Sequence, residues 1–139
     1  MQKSSNLLNK RRKSFRKSND AFLSFKYAWN GFQYCIKNER NFKIQFIFGI
    51  LSLILSYLLN LNPFENIILF ATIFSVLILE LLNTAIEKLV DLIVDDNFNR
   101  LAKIAKDCSA ASVLLAAINS LFVAVYLFFP KIKLLIDNF

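Results

Sequence analysis

The feature that most restricts the fold of this chain is a set of three long apolar segments, at about residues 44–61, 67–94 and 108–129. The first and the last contain no charged residue, whereas acidic residues interrupt the second. The shortest has 18 residues, and an α-helix of that length rises about 27 Å, close to the roughly 30 Å hydrocarbon core of a bilayer. We therefore predict three transmembrane helices.

The composition agrees with an all-α membrane protein. Hydrophobic residues make up 56% of the 139 residues, and the chain has only two Gly and two Pro. Because turn-forming residues are so scarce, hairpins and the loops of a soluble α/β enzyme have little room. The chain also has no His, and Cys35 and Cys108 have no paired spacing. We therefore expect no zinc or haem site and interpret both cysteines as buried free thiols.

Positive charge is concentrated at the N-terminus, where the first 43 residues contain eleven Lys or Arg. Residues 1–18 are predicted to form a basic, disordered tail without a cleavable signal peptide. We interpret this charge as a contact with a membrane surface rather than with nucleic acid. Lys and Arg occur in the loop at 95–106 but not at 60–66. The N-terminus and the 95–106 loop are therefore predicted to be cytoplasmic in a bacterial inner membrane, with Lys131 and Lys133 as exceptions.

Residues 19–37 have the pattern of an amphipathic surface helix. Apolar and mostly aromatic side chains recur at helical spacing, at Phe22, Phe25, Trp29, Phe32 and Ile36. Cationic and amide side chains occupy another face. Such a pair of faces is typical of a helix in the membrane interface, although a helix on a soluble core is an alternative. The predicted domains are therefore the tail, this helix, and a three-helix transmembrane domain over 38–139.

One side of the second predicted span is polar. Glu80, Asn83, Glu87 and Asp91 recur at helical spacing and share one stripe. Glu80 falls inside the apolar layer, where an unpaired carboxylate costs about 2.5–3.5 kcal/mol on insertion scales. A structural ion pair or a protonated glutamate is one explanation, and a functional site is the other.

Further charged residues flank the other two spans at the same depth. Glu39 precedes the first span, and Lys103, Lys106 and Asp107 precede the third. Carboxylates without His suit Mg²⁺, and lysines suit phosphate, so these are components of a phosphoryl-transfer site. Both glycines are isolated, so neither a Walker loop nor a kinase glycine-rich loop is present. A proton or cation conductor is an alternative, but residues 67–79 contain no acid.

Three motifs lie at these positions: NERNFKI at 38–44, ELLNTAIEKLVD at 80–91 and AKIAKD at 102–107. They resemble the prokaryotic diacylglycerol kinase family, which includes the undecaprenol kinases. The resemblance implies a homotrimer with active sites between subunits. It also implies transfer of the γ-phosphate of MgATP to a membrane lipid alcohol, with diacylglycerol as the expected substrate and undecaprenol as the alternative.

The resemblance also implies roles for single residues. Glu80 corresponds to the catalytic base, and Glu39 and Glu87 to ligands of Mg²⁺, the expected cofactor. Asn83 would orient the substrate or Glu80, and Asp91 would support the site.

The remaining implied contacts are with the two substrates. The nucleotide contacts are Tyr27, Glu39, Glu87, Asn97, Phe98, Asn99, Lys106 and Asp107. On the lipid side, Trp29 and Gln45 would contact or orient the substrate. The chain departs from the family at two places: Phe98-Asn99 stand where Tyr-His is common, and Gln45 stands where many members have His or Glu.

Overall fold

The computed structural model describes residues 21–95 and 97–137, and the described residues contain helices and no strand. The helices are α1 (Ala21–Asn38), α2 (Arg40–Leu58), α3 (Pro63–Val94) and α4 (Arg100–Asp137). The all-α prediction is confirmed. The predicted tail lies outside the described residues, as do the first two residues of the predicted surface helix.

Three of these helices are long and apolar enough to cross a membrane. α2, α3 and α4 have 19, 32 and 38 residues, and the mean hydropathy of their most apolar windows is 1.5, 2.2 and 2.2. Many large apolar side chains on them are exposed, including Phe48, Leu115 and Phe122. Exposed apolar side chains on fully hydrogen-bonded helices suit lipid rather than water. The prediction of an all-α membrane protein with three apolar spans is therefore confirmed.

The α2–α3 turn results from local sequence. α2 ends before the predicted boundary because Asn60 adopts a left-handed backbone with φ of 50°. α3 begins at Pro63, and Asn62 forms a reciprocal capping box with Glu65. Proline at the first helical position and a capping box both favour a helix start. Together they explain why α3 begins earlier than its apolar run.

Ion pairs at both ends show that α3 and α4 are antiparallel. Lys106 Nζ lies 3.0 Å from Asp91 Oδ1, and Lys131 Nζ lies 3.4 Å from Glu65 Oε2. The second pair also offsets the charge of Lys131, one of the two lysines that are exceptions to the predicted cytoplasmic excess of positive charge. Near the end that holds Glu65 and Lys131, the buried side chains of Leu61, Leu69, Leu127 and Phe128 form a small hydrophobic core.

A close approach of α2 and α3 occurs at Gly49. A Cβ atom added to this buried glycine would lie 3.0 Å from Cγ2 of Ile73. Small residues allow helix backbones to approach closely in membranes. One turn before Gly49, this approach brings Gln45 on α2 to Glu80 on α3.

The chain divides after Gln33 into two compact units. In the first unit the aromatic face of α1 is exposed at Phe25 and Trp29, and Trp29 stacks on Phe32 with 5.6 Å between ring centroids. The side chain of Phe22 lies outside the described ones. An exposed aromatic face is compatible with the predicted interfacial helix.

Candidate active site

A polar cavity of about 150 Å³ lies between the start of α2 and the middle of α3. Its lining consists of charged, amide and hydroxyl side chains, those of Glu39, Arg40, Asn41, Glu80, Asn83, Thr84 and Glu87. Three carboxylates and one guanidinium therefore share a small space. The stripe on α3 predicted from sequence supplies three of these residues, Glu80, Asn83 and Glu87, whereas its fourth member, Asp91, lies outside the lining. Thr84 of α3 and the start of α2 supply the others.

Glu80 is the most deeply buried acid described, with 3% of its surface exposed. Nε2 of Gln45 donates a hydrogen bond to Glu80 Oε2 over 3.2 Å. The other amide atom, Oε1 of Gln45, is buried and has no hydrogen-bond partner among the described residues. Most buried polar atoms in proteins are paired, so this unpaired oxygen next to Glu80 is unusual. Among the residues that the structure describes, Glu80 thus has a neutral hydrogen-bond partner and no ion pair.

Asn83 connects α4 to Glu87. Its Nδ2 donates to Glu87 Oε1 over 3.0 Å, and Ser109 Oγ donates to Asn83 Oδ1 over 2.7 Å. Asn83 was expected to orient the substrate or Glu80, yet its amide N–H bonds to Glu87. Side chains four residues apart on a helix are neighbours on successive turns, which explains this pairing. Asn83 therefore positions the second carboxylate of the cavity.

Removing the Ser109 hydroxyl tests this connection. Ser109→Ala leaves Oδ1 of Asn83 buried without its partner, which should cost about 1–3 kcal/mol of unfolding free energy. Ser112→Ala is the matched control, because Ser112 Oγ bonds only to a backbone carbonyl of its own helix. Denaturant titration in mixed micelles should show the larger loss for Ser109→Ala. Equal stability of the two variants would contradict a structural link through Asn83.

Glu39 is the N-cap residue of α2, but its side chain makes no capping hydrogen bond. Its carboxylate lines the cavity instead and lies 3.5 Å from Nζ of Lys88. A negative charge at a helix N-terminus is also favoured by the helix dipole. The sequence predicted Glu39 as a site residue, and the fold places its carboxylate in the lining of the cavity.

The two cysteines differ. Cys35 is buried, and burial raises the pKa of its thiol, which the nearby Thr84 hydroxyl opposes by hydrogen bonding. Cys108 is exposed, so the prediction of two buried thiols is wrong for this residue. It lies next to buried Ser109 on α4, and adjacent helical positions point about 100° apart, so both cannot face α3.

The predicted nucleotide residues on α4 lie outside the cavity. Lys106 pairs with Asp91 on α3, and Asp107 pairs with Lys103 one turn earlier, at 3.1 Å. Both pairs are substantially solvent-exposed, and such pairs are weak enough to exchange partners. Lys106 and Asp107 precede Ser109 in the sequence and therefore lie nearer the N-terminus of α4.

The predicted residues of the α3–α4 loop have local roles. Asn99 caps α4, since its Oδ1 accepts from the backbone N–H groups of Leu101 and Ala102 over 2.8 and 3.2 Å. Phe98 is 84% exposed. Asn97 is exposed, and among the described residues its hydrogen bonds are to the backbone carbonyls of Val94 and Asp95. Asn99 also lines a separate, mostly apolar cavity of about 260 Å³ between the end of α3 and the start of α4.

Tyr27 and Trp29 lie on α1 in the first unit, and both are about half exposed. They remain predicted contacts. Sequence reasoning missed Arg40, Asn41 and Thr84 as lining residues. All three lie within the NERNFKI and ELLNTAIEKLVD motifs at 38–44 and 80–91, which is the signal that could have identified them.

The donor set of the cavity fits Mg²⁺ on chemical grounds. Glu39 and Glu87 offer carboxylate oxygens, and no sulfur or imidazole lines the cavity. Mg²⁺ prefers oxygen ligands and usually keeps several waters or phosphate oxygens. Among the described residues, no three acidic or thiol side chains are grouped closely enough to hold a metal alone. Water or other oxygen ligands from outside the chain would therefore complete the coordination.

The fold and this cavity define a small multi-pass membrane protein with an oxygen-rich site on helices that are otherwise apolar. The family model described as prokaryotic diacylglycerol kinase matches residues 26–128, from α1 to within α4. The chain belongs to the prokaryotic diacylglycerol kinase family and is a lipid kinase.

Individual relatives agree on the kind of enzyme. The chain is 41% identical to the diacylglycerol kinase of Synechocystis sp. over 88% of this chain and 70% of the relative. It is 40% identical to the undecaprenol kinase of Bacillus subtilis over 82% of this chain and 92% of the relative. It is 32% identical to the diacylglycerol kinase of Escherichia coli over 66% of this chain and 75% of the relative. Because the first two are equally similar, overall identity does not select the lipid.

Proposed function

We propose that the protein transfers the γ-phosphate of MgATP to the hydroxyl of a membrane lipid alcohol. The expected substrate is diacylglycerol, which gives phosphatidic acid, and undecaprenol is the alternative. The observation that supports this function is the burial of Glu80 beside a cavity that it shares with Glu39 and Glu87. A general base next to carboxylates suited to a metal is the arrangement that phosphoryl transfer to an alcohol requires.

In the proposed mechanism, Glu80 accepts the proton of the lipid hydroxyl while the hydroxyl oxygen forms a bond to the γ-phosphorus. The bond between this phosphorus and the β–γ bridging oxygen breaks, and ADP leaves with the electron pair. Gln45 holds the Glu80 carboxylate by the 3.2 Å hydrogen bond from its Nε2 atom. Because the amide is neutral, it orients Glu80 without the full positive charge that would weaken a base.

Glu39 and Glu87 would hold Mg²⁺, which supplies positive charge for the phosphate oxygens. Asn83 keeps Glu87 in place through its own bond to Ser109. Lys106 would exchange Asp91 for the nucleotide phosphates, since their present pair is solvent-exposed.

The remaining nucleotide contacts are proposed for Tyr27, Asn97, Phe98, Asn99 and Asp107, and a lipid contact for Trp29. These residues do not line the 150 Å³ cavity. We propose that they complete the site in a homotrimer, where the parts of one chain meet those of another. An exposed Phe98 and an exposed apolar face on α1 support further burial in such an assembly.

The proposed orientation has the N-terminus and the site on the cytoplasmic side of the inner membrane, where ATP is available. The excess of positive charge near the N-terminus supports it. A proton or cation conductor is not favoured, because the described part of α3 contains no acid between Glu65 and Glu80. A conducting path would require polar groups through the full depth.

The test is a phosphorylation assay with the purified full chain in mixed micelles. Labelled ATP is supplied with diacylglycerol or with undecaprenol, and the labelled lipid is extracted and counted. We expect Mg²⁺-dependent label in phosphatidic acid, and a higher kcat/KM for diacylglycerol than for undecaprenol. The reverse preference would select the alternative lipid, and no label in either product would contradict the proposed function.

A further inference from the structure

Lys88 is a charged residue beside the candidate site that the mechanism above does not use. Its Nζ atom lies 3.5 Å from Oε1 of Glu39. The hydroxyl of Tyr34, near the end of α1, interacts with the same ammonium group. Lys88 therefore joins α3 to the junction between α1 and α2, immediately after Glu87 in the sequence.

The partner of Lys88, Glu39, is the cavity carboxylate with the least other support, since Glu80 bonds to Gln45 and Glu87 to Asn83. Glu39 makes no capping hydrogen bond with its side chain. Of the ion pairs found among the described residues, only the one with Lys88 includes a carboxylate that lines the cavity. Lys88 itself is not part of the lining, so its ammonium reaches Glu39 from outside the cavity.

The exposure of the two side chains indicates a pair that can separate. The Lys88 side chain is 52% exposed and that of Glu39 is 22% exposed. An ion pair with a half-exposed lysine contributes little net stability, because water solvates the ammonium almost as well as the carboxylate does. A lysine released from Glu39 therefore needs no replacement partner inside the protein.

We propose that Lys88 is an exchangeable counter-ion of Glu39, which neutralises this carboxylate before a divalent cation binds and competes with the cation for it. Three carboxylates and one guanidinium, that of Arg40, line the cavity, so negative groups outnumber positive ones, and a tethered ammonium reduces the remaining repulsion. A divalent cation brings more charge to the same oxygens and displaces the lysine to solvent. This proposal rests on the metal-binding role of Glu39 in the proposed function, and it makes Lys88 a positioning residue.

The test measures Mn²⁺ binding to the nucleotide-free protein in nanodiscs, from the loss of the electron paramagnetic resonance signal of free Mn²⁺. Lys88→Gln removes the competing charge, so we expect Mn²⁺ to bind about two- to fivefold more tightly than to the parent, the range that exposed ion pairs allow. Lys88→Arg keeps the charge and should retain the parental affinity.

Two controls separate competition from a general change in charge. Lys131→Gln also removes one lysine of an ion pair, at 3.4 Å from Glu65 at the other end of α3. It should leave Mn²⁺ affinity unchanged. In a Glu39→Gln background, Lys88→Gln should give a smaller gain than in the parent, because the carboxylate for which Lys88 competes is absent.

Unchanged or weaker Mn²⁺ binding by Lys88→Gln would overturn the proposal, as would an equal gain in the Lys131→Gln control. Absence of Mn²⁺ binding by both the parent and Lys88→Gln would overturn it as well. The labelled-lipid assay judges the kinase function separately. A parent that phosphorylates lipid, with a Lys88→Gln variant of unchanged Mn²⁺ affinity, would refute the exchange and leave the function intact.

Discussion

Glu80→Gln should lower kcat by about 10²–10⁴-fold, the usual contribution of general base catalysis. Glutamine has nearly the same shape as glutamate and can still hydrogen-bond to Gln45, but its amide cannot accept the proton of the lipid hydroxyl. The loss should therefore affect turnover more than folding. Initial rates at saturating ATP and lipid measure it, with the oligomeric state checked first by size-exclusion chromatography.

Glu65→Gln is the matched control, because it makes the same substitution on the same helix. Glu65 belongs to the capping box of α3 and to the pair with Lys131, far along α3 from the cavity. This variant should lose some stability and keep a turnover close to that of the parent. Near-parental turnover of Glu80→Gln would exclude the base role, and failure of that variant to fold would instead indicate a structural role for Glu80.

Periodicity on a single helix was sufficient to predict the acidic stripe. Glu80, Asn83 and Glu87 share one side of α3 because of helical spacing alone, and all three line the same cavity. The reason is local, since the helix fixes these directions without help from neighbours. The burial of Glu80 also followed from its place in an apolar segment.

Contacts between helices could not be read from the sequence. The bond between Gln45 and Glu80 depends on the register of α2 against α3, which the close approach at Gly49 helps to set. The bond between Ser109 and Asn83 depends in the same way on α4. Periodicity gives the face of one helix but not its partner, because many registers bury a similar apolar area.

Local capping explains why Asn99 has a structural role that motif comparison did not suggest. An asparagine directly before a helix satisfies backbone N–H groups that have no intrahelical partner. Asn99 makes two such bonds at the start of α4. Asn99 can be both a helix cap and a nucleotide contact. Because its Oδ1 atom caps α4, a nucleotide contact would come from its other side-chain atoms or its backbone.

Glu87→Gln should raise the Mg²⁺ concentration needed for half-maximal rate by about 10–100-fold, since even groups that only orient metal ligands contribute this much to metal affinity. The defect should diminish as Mg²⁺ increases, with little change in KM for the lipid, because the carboxylate acts through the metal. Asp95→Asn is the matched control at the same end of α3. It also removes a carboxylate, it lies outside the cavity, and asparagine tolerates the left-handed backbone with φ of 45° found there.

The measurement is the rate over a range of Mg²⁺ concentrations at fixed MgATP, for the parent, Glu87→Gln, Glu39→Gln and Asp95→Asn. It decides whether the two carboxylates hold the metal. Both cavity variants should shift in the same direction, and Asp95→Asn should follow the parent. Because Asn83 holds Glu87 from one side, Asn83→Ala should give a smaller shift of the same sign. An unchanged Mg²⁺ dependence of both Glu87→Gln and Glu39→Gln would remove the metal role from this cavity, whatever the effect of Glu80→Gln.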